Sequence, residues 1–189
     1  MEPMSRKAIK GMVFAALFAA LTAAVSPVKI PLGFTPVPIT LQTLMVLLSG
    51  AMLGPWYGAL SMILYVLVGA LGLPVFAGGG SGFGALLGPT GGYLFSYFIA
   101  AFAVGSIVKL AGRKKSAKKK ALRWNTVFAM IVGSLIIYAL GATWGKVVTG
   151  LGWGAIMVGW VIPFIIGDTI KLLAAAVIAD NIKLEKYLS

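Results

Sequence analysis

An acidic and a basic residue lie three positions apart inside the last long apolar run of the chain. They are Asp168 and Lys171, within the stretch 155–182. Residues three apart on a helix share one face, so these side chains can offer an acceptor and a donor to the same molecule. A charge in the hydrocarbon of a bilayer costs roughly 3 kcal/mol or more, and such residues usually serve a function. The pair therefore predicts a site for a polar ligand at membrane depth.

Two other interpretations of this pair stay open. Asp168 and Lys171 could form a structural ion pair that neutralises itself within one helix. Asp168 could also act as the catalytic acid of a membrane enzyme, or in a proton relay. The catalytic reading is disfavoured because the sequence has no His and only four acidic residues. Pro163 and Gly167, just before the pair, can loosen the helix and free backbone groups for binding.

Composition restricts the class of protein. The chain is 60% hydrophobic and 11% charged, whereas soluble domains are about half apolar and a quarter charged. Its net charge of +12 does not indicate nucleic-acid binding, because the basic residues lie in short flanks between apolar runs. There is no Cys and no His, so we expect no thiol chemistry, no metal site, no His-based triad and no cofactor.

Apolar runs separated by turn residues or charges predict an all-α integral membrane protein with six transmembrane helices in a single domain, 1–189. Trp56 follows the Gly54-Pro55 turn, where an interfacial aromatic residue is expected. The predicted spans are 8–26, 39–53, 56–73, 90–111, 124–144 and 155–182.

The distribution of Lys and Arg predicts the orientation. Apart from Lys171, thirteen of these residues lie in the head, in the segment 109–123 or in the tail, and only Lys29 and Lys146 lie on the other side. This asymmetry places both termini and the basic loop 112–123 in the cytoplasm. The basic loop could also contact anionic lipid.

Two loops on the predicted outer side could cover a ligand. The loop 27–38 contains four prolines and cannot be a regular helix. The loop 74–89 is rich in glycine and includes Gly79, Gly80 and Ser81, whose backbone can approach a ligand closely. A flexible linker is the alternative, although Phe76, Phe83 and Leu86 are poor linker residues.

The first span has two rows of alanines at four-residue spacing. Such small residues let helices approach closely in lipid. We expect the row Ala16, Ala20 and Ala24 to dock another membrane protein, with packing inside the chain as the alternative. The head and this run could also be read as a signal peptide, but the alanine rows favour a span.

The segment 141–146 superficially resembles a phosphate-binding loop. It is one residue too short and lacks the Ser or Thr that follows the lysine. The chain is also too short for the two large repeats of many secondary transporters. If it moves a solute, we expect a partner to supply the energy.

Five segments in order along the chain resemble the BioY family, the biotin-specific substrate-binding subunits (S components) of energy-coupling factor transporters. The resemblance runs from the first span to the last. The segments are 16–24, Pro36-Val37-Pro38-Ile39-Thr40-Leu41-Gln42-Thr43-Leu44, Gly72-Leu73-Pro74-Val75-Phe76-Ala77-Gly78-Gly79, Gly88-Pro89-Thr90-Gly91-Gly92-Tyr93-Leu94 and Gly167-Asp168-Thr169-Ile170-Lys171.

This resemblance implies a six-helix subunit that binds biotin from outside. It implies that Asp168 and Lys171 contact the ureido ring and that the glycine-rich loop is a lid. A carboxylate can take the two ureido N–H groups, and an ammonium can donate to the carbonyl. The other residues implied or suited to contact the ligand are Thr40, Gln42, Gly91, Gly92 and Tyr93 for its carboxylate tail and Phe76, Phe83 and Trp160 for its apolar parts.

The resemblance also implies partners and a location. The alanine row would dock a transmembrane T component that carries two ATP-binding-cassette ATPases, in the plasma membrane of a bacterium. The subunit itself would be no enzyme. An S component for thiamine or riboflavin is the nearest alternative, although the outer loops show no obvious Trp/Tyr cluster.

Overall fold

Helices dominate the described part of the chain, which covers residues 5–111, 123–182 and 184 of the computed structural model. The basic loop predicted at 112–123, except Arg123, and most of the tail lie outside these residues. The elements are α1 (Arg6–Val25), β1 (Lys29–Ile30), β2 (Ile39–Thr40), α2 (Gln42–Ala70), α3 (Gly82–Leu87), α4 (Gly91–Leu110), α5 (Trp124–Thr149), α6 (Trp153–Ile156) and α7 (Ile165–Asn181).

Five helical stretches of the described residues are long and apolar enough to cross a membrane. One of them, α2, is bent sharply at Gly54, whose φ of 79° and ψ of −176° are not helical. A Cβ atom added to Gly58 would lie 2.8 Å from the Cα of Gly50, although residues eight apart in a straight helix are about 12 Å apart. The two halves of α2 therefore fold back against each other, where the sequence predicts the second and third spans. That each half crosses the membrane stays a prediction.

Small residues let the helices of the bundle approach closely. α4 packs against both α2 and α5, while α1 and α7 lie against α2. A side chain on Gly105 would collide with the backbone at Gly54 and Pro55, and one on Gly50 would collide with the carbonyl of Ala101. Packing of this kind is typical of membrane helices, where the hydrophobic effect gives little association force.

The two alanine rows of α1 have different surroundings. Ala15 and Ala19 are buried against the bundle, whereas Ala16, Ala20 and Ala24 are exposed. One row therefore serves internal packing and the other faces outward.

The last predicted span is broken into segments. α5 continues past the predicted end at Trp144 and ends at Thr149, with Gly150 in the left-handed conformation. After α6 come a π-helical turn, Met157–Val161, and a 3-10 turn, Ile162–Phe164, before α7 begins. Pro163 lies in this 3-10 turn, where its missing N–H and its ring prevent a regular α-helix. The break lies directly before Asp168.

The two predicted outer loops contain more regular structure than the sequence suggests. β1 and β2 pair antiparallel within and beside the loop 27–38, with Lys29 opposite Thr40. In the glycine-rich loop, a 3-10 turn, Ala77–Gly79, precedes α3. Gly78 has a φ of 69°, which a residue with a side chain rarely adopts.

Candidate binding site

A cavity opens beneath the hairpin and the glycine-rich loop. The space free of protein atoms within it, counting open solvent at its mouth, is about 710 Å³. Segments from both outer loops and from α2, α4, α5 and α7 surround it. Its lining residues are Val37, Pro38, Ile39, Thr40, Gln42, Thr43, Phe76, Ala77, Gly80, Ala85, Thr90, Tyr93, Leu94, Tyr97, Ile137, Tyr138, Phe164, Asp168 and Lys171.

Asp168 accepts three hydrogen bonds, from three different helices. Lys171 Nζ lies 2.8 Å from its Oδ1, Thr43 Oγ1 donates to the same oxygen at 3.1 Å, and the Tyr138 hydroxyl donates to Oδ2 at 2.6 Å. The side chains of Asp168 and Lys171 are each only 12% exposed. The carboxylate is thereby fixed in position and charge-balanced at the cavity wall.

The ion pair that the sequence leaves open as an alternative is therefore formed. Lys171 and Asp168 also line the cavity, so neither side chain is sealed in the bundle. An ammonium has three donors and a carboxylate accepts about four hydrogen bonds. The pair thus keeps capacity to bind a molecule that has both donors and acceptors.

A second polar cluster is centred on Gln42, which is only 4% exposed. Its Oε1 accepts from Thr40 Oγ1 at 2.9 Å and from the Tyr97 hydroxyl at 3.2 Å. Its Nε2 donates to the Tyr65 hydroxyl at 2.6 Å, which in turn donates to the carbonyl of Val75 at 3.0 Å. The cluster ties β2, α2, α4 and the start of the glycine-rich loop together at the cavity. A buried network with satisfied partners of this kind stabilises one arrangement.

Tyr93 lines the cavity with its ring, while its hydroxyl donates to the carbonyl of Trp160 at 2.6 Å. The accepting carbonyl belongs to the π-helical turn. The two rings stack with centroids 6.5 Å apart. Trp160 is only 2% exposed and lies outside the lining, so it supports Tyr93 from behind.

Phe76 contributes an apolar wall and lies edge-on against Tyr65 at 5.7 Å between ring centroids. A side chain on Gly69 would collide with the Phe76 ring, so this glycine makes room for it. Phe83, in contrast, is 68% exposed and is not part of the lining.

Four glycine and serine positions predicted to contact a ligand lie outside the lining. Gly79 and Ser81 are exposed in the loop, whereas the neighbouring Gly80 lines the cavity. Gly91 lies against the carbonyl of Leu86, and Gly92 lies against Trp144. These two glycines let neighbouring segments of the chain approach closely. The sequence pattern does not distinguish that role from contact with a ligand.

The sequence reasoning missed three hydroxyl groups of the site. Thr43 and Tyr138 hydrogen-bond Asp168, and Tyr97 joins the Gln42 cluster. A signal existed for Tyr138, because a tyrosine in the middle of an apolar span needs a partner for its hydroxyl. For Thr43, the signal was its place beside Gln42 at the start of a span.

Comparison with known proteins gives the family. A model of the BioY family matches residues 1–186. The Biotin transporter BioY of Thermotoga maritima is 41% identical over 175 residues, which is 93% of this chain and 96% of that protein. The Biotin transporter BioY of Rhodobacter capsulatus is 41% identical over 177 residues, 88% of this chain and 89% of that protein.

A solved structure agrees with these relatives. The crystal structure of the S-component for biotin from an ECF-type ABC transporter matches with a TM-score of 0.84 and 27% identity, over 97% of this chain and 95% of that one. The chain belongs to the BioY family, and it is a multi-pass membrane protein. The family resemblance stated from the sequence is confirmed.

Proposed function

We propose that this chain is the biotin-binding S component of an ECF-type importer. The observation that carries the proposal is the Asp168–Lys171 pair, which is only 12% exposed and lies in the wall of the cavity beneath the two outer loops. The names of the relatives support it, since they are transporters of biotin. In the proposal, the subunit captures biotin outside the cell, and a partner with ATPases drives its delivery inward.

The site chemistry suits the ureido ring of biotin. Its two N–H groups can donate to the Asp168 carboxylate while its carbonyl accepts from Lys171, and bonds to charged groups are the stronger kind. Tyr138 and Thr43 keep the carboxylate oriented during this exchange. An analogue without the ureido group would leave the pair without these new bonds, which is the basis of selectivity. Phe76, Phe164 and Ile137 supply the apolar walls for the rest of the molecule.

The orientation in the membrane is part of the proposal. The two halves of α2 count as separate crossings, which gives six and places both termini in the cytoplasm. Lys7 and Lys109 lie beside the Gly54 bend, and the cavity lies beneath the two loops that carry few basic residues. This charge difference supports a cavity open to the outside of a bacterial plasma membrane.

Binding can be measured on the detergent-purified protein. We expect biotin to raise the unfolding temperature strongly, because a ligand that binds only the folded state stabilises it by mass action. Lipoic acid is a matched control, since it has the same acidic chain and no ureido group. Thiamine and riboflavin test the other vitamins. Stabilisation by lipoic acid or riboflavin equal to that by biotin would contradict the assignment.

Coupling to a partner is a separate step of the proposal. The exposed row Ala16, Ala20 and Ala24 is the proposed docking surface for the T component, which carries two ATP-binding-cassette subunits. We expect Ala20→Trp to retain biotin binding and to abolish ATP-driven uptake in vesicles that contain the partners. Leu135→Trp, at an exposed position of α5, is the control. Loss of binding in Ala20→Trp would instead indicate a role in internal packing.

A further inference from the structure

Lys29 lies between the two segments that cover the cavity. In the hairpin it pairs with Thr40, which lines the cavity. On its other side, the end of its side chain lies over Gly78, with the ammonium Nζ nearest to the position that a Cβ atom there would take. The residues on either side of this glycine turn, Ala77 and Gly80, also line the cavity. Lys29 does not itself line the cavity, but it lies beside residues that do, across the hairpin and the glycine-rich loop.

The charge of this lysine is not used by the protein in the part that the structure describes. The acids in that part are Asp168 and Asp180, both on α7 and both hydrogen-bonded to other groups. Lys29 is exposed, and no ion pair joins it to a residue of 5–111 or 123–182. The other lysine on the predicted outer side, Lys146, lies over the ring of Trp153 at 5.4 Å.

We propose that Lys29 binds the carboxylate of the captured acid and thereby holds the glycine-rich loop closed over the filled cavity. This inference rests on the proposed function, since Asp168 and Lys171 then take the ureido end and leave a negatively charged chain to be bound. A lysine supplies charge-assisted donors to a carboxylate, and the Lys29 ammonium lies over Gly78, between two residues of the loop that line the cavity. Glycine suits position 78 because a φ of 69° is strained for a residue with a side chain, and a side chain there would displace the end of Lys29.

The test compares a charged and an uncharged ligand in three variants. Lys29→Met keeps a stem of similar length and removes the charge, Lys29→Arg keeps the charge, and Lys146→Met removes the other outer lysine. The ligands are biotin and biotin methyl ester, which differ in the charge of the chain. Affinities and dissociation rates are measured on the purified protein by competition and by surface plasmon resonance.

We expect Lys29→Met to raise the Kd for biotin about tenfold, mainly through faster dissociation, and to change the Kd for the methyl ester by less than twofold. Lys29→Arg should retain most of the affinity for biotin, and Lys146→Met should change the affinity for neither ligand. An equal loss for both ligands would assign Lys29 a structural role and overturn the inference. The inference is also overturned if Lys29→Met and Lys146→Met reduce the affinity for biotin equally, or if only the association rate changes. Either result would indicate long-range electrostatic attraction rather than a local contact.

The failure of the proposed function has a different signature. In that case the unmodified protein would not bind biotin at all. If it binds biotin and Lys29→Met has no effect, only the role of Lys29 is refuted. Gly78→Ala is a second variant that displaces the lysine stem without removing its charge. It should also speed the dissociation of biotin, and an unchanged rate would contradict closure of the loop by Lys29.

Discussion

Two aspartates of the same helix, Asp168 and Asp180, have different surroundings. Asp168, near the start of α7, is bonded by Lys171, Tyr138 and Thr43 at the wall of the cavity. Asp180, about three turns further on, accepts from the backbone N–H of Arg123 at 2.7 Å and from Thr126 Oγ1 at 2.8 Å. Both are partly buried and both are satisfied by protein groups.

The partners decide what each carboxylate can do. Asp180 binds the first turn of α5, where unpaired N–H groups and the positive end of the helix dipole favour a negative charge. It therefore connects two helices. Asp168 has an ammonium and two hydroxyls as partners, so the ion pair can exchange bonds with a ligand while the hydroxyls hold the carboxylate in place. A buried charge alone does not indicate a binding site, and what sets Asp168 apart is its place in the wall of a cavity.

Asp168→Asn should give the largest effect on binding. The amide cannot accept both ureido N–H groups as a carboxylate does, so we expect the Kd for biotin to rise about 100-fold, roughly 2.7 kcal/mol. The fold should persist, because asparagine has the same shape and its oxygen still accepts from Tyr138. Titration calorimetry measures this. Unchanged affinity would remove Asp168 from the binding site.

Asp180→Asn should lower the stability of the protein and leave biotin binding unchanged, the reverse of Asp168→Asn. It replaces a carboxylate that accepts at both oxygens with a neutral amide that accepts at one, and it removes the negative charge from the first turn of α5, which together cost about 2 kcal/mol of stability. For a chain of this size we expect the unfolding temperature to fall by roughly 6 °C, with the Kd for biotin unchanged within twofold. Scanning fluorimetry without ligand measures it. A loss of affinity like that of Asp168→Asn would erase the contrast between the two carboxylates.

Lys171→Met should raise the Kd for biotin about tenfold, a smaller effect than that of Asp168→Asn. In the proposed complex the ammonium gives one bond to the ureido carbonyl, whereas the carboxylate takes two N–H groups, and a tenfold change corresponds to about 1.4 kcal/mol. Lys109→Met, at an exposed position of α4, is the control for a change of net charge. Equal losses of affinity in these two lysine variants would show that the effect is not local.

Removing a hydroxyl that donates to one of the two aspartates should give the smallest effects, on affinity at Asp168 and on stability at Asp180. Tyr138→Phe removes one donor to Asp168, and we expect the Kd to rise about fivefold, since a hydrogen bond contributes about 1 kcal/mol. Thr126→Val removes one donor to Asp180, and it should lower the unfolding temperature by roughly 3 °C without changing the Kd. The same two measurements test both variants. A rise in the Kd for biotin in Thr126→Val would show that the two regions are coupled.

Much of the site's location could be predicted from the sequence, because its signals are local. Spacing alone places Asp168 and Lys171 on one face, and Pro163 alone explains a helix break just before them. The hydroxyl partners could not be predicted in this way. Thr43 and Asp168 are 125 residues apart, and no local pattern determines which distant side chains meet.

The sequence by itself determined that this is a membrane protein with a charged pair in its last helix, because composition and residue spacing are properties of short segments. Only the tertiary structure decided which alanine row faces outward, which glycines serve packing, and that Lys29 lies over the glycine-rich loop. These depend on how distant segments approach one another, and helices that are apolar on all sides carry little information about which face will be buried.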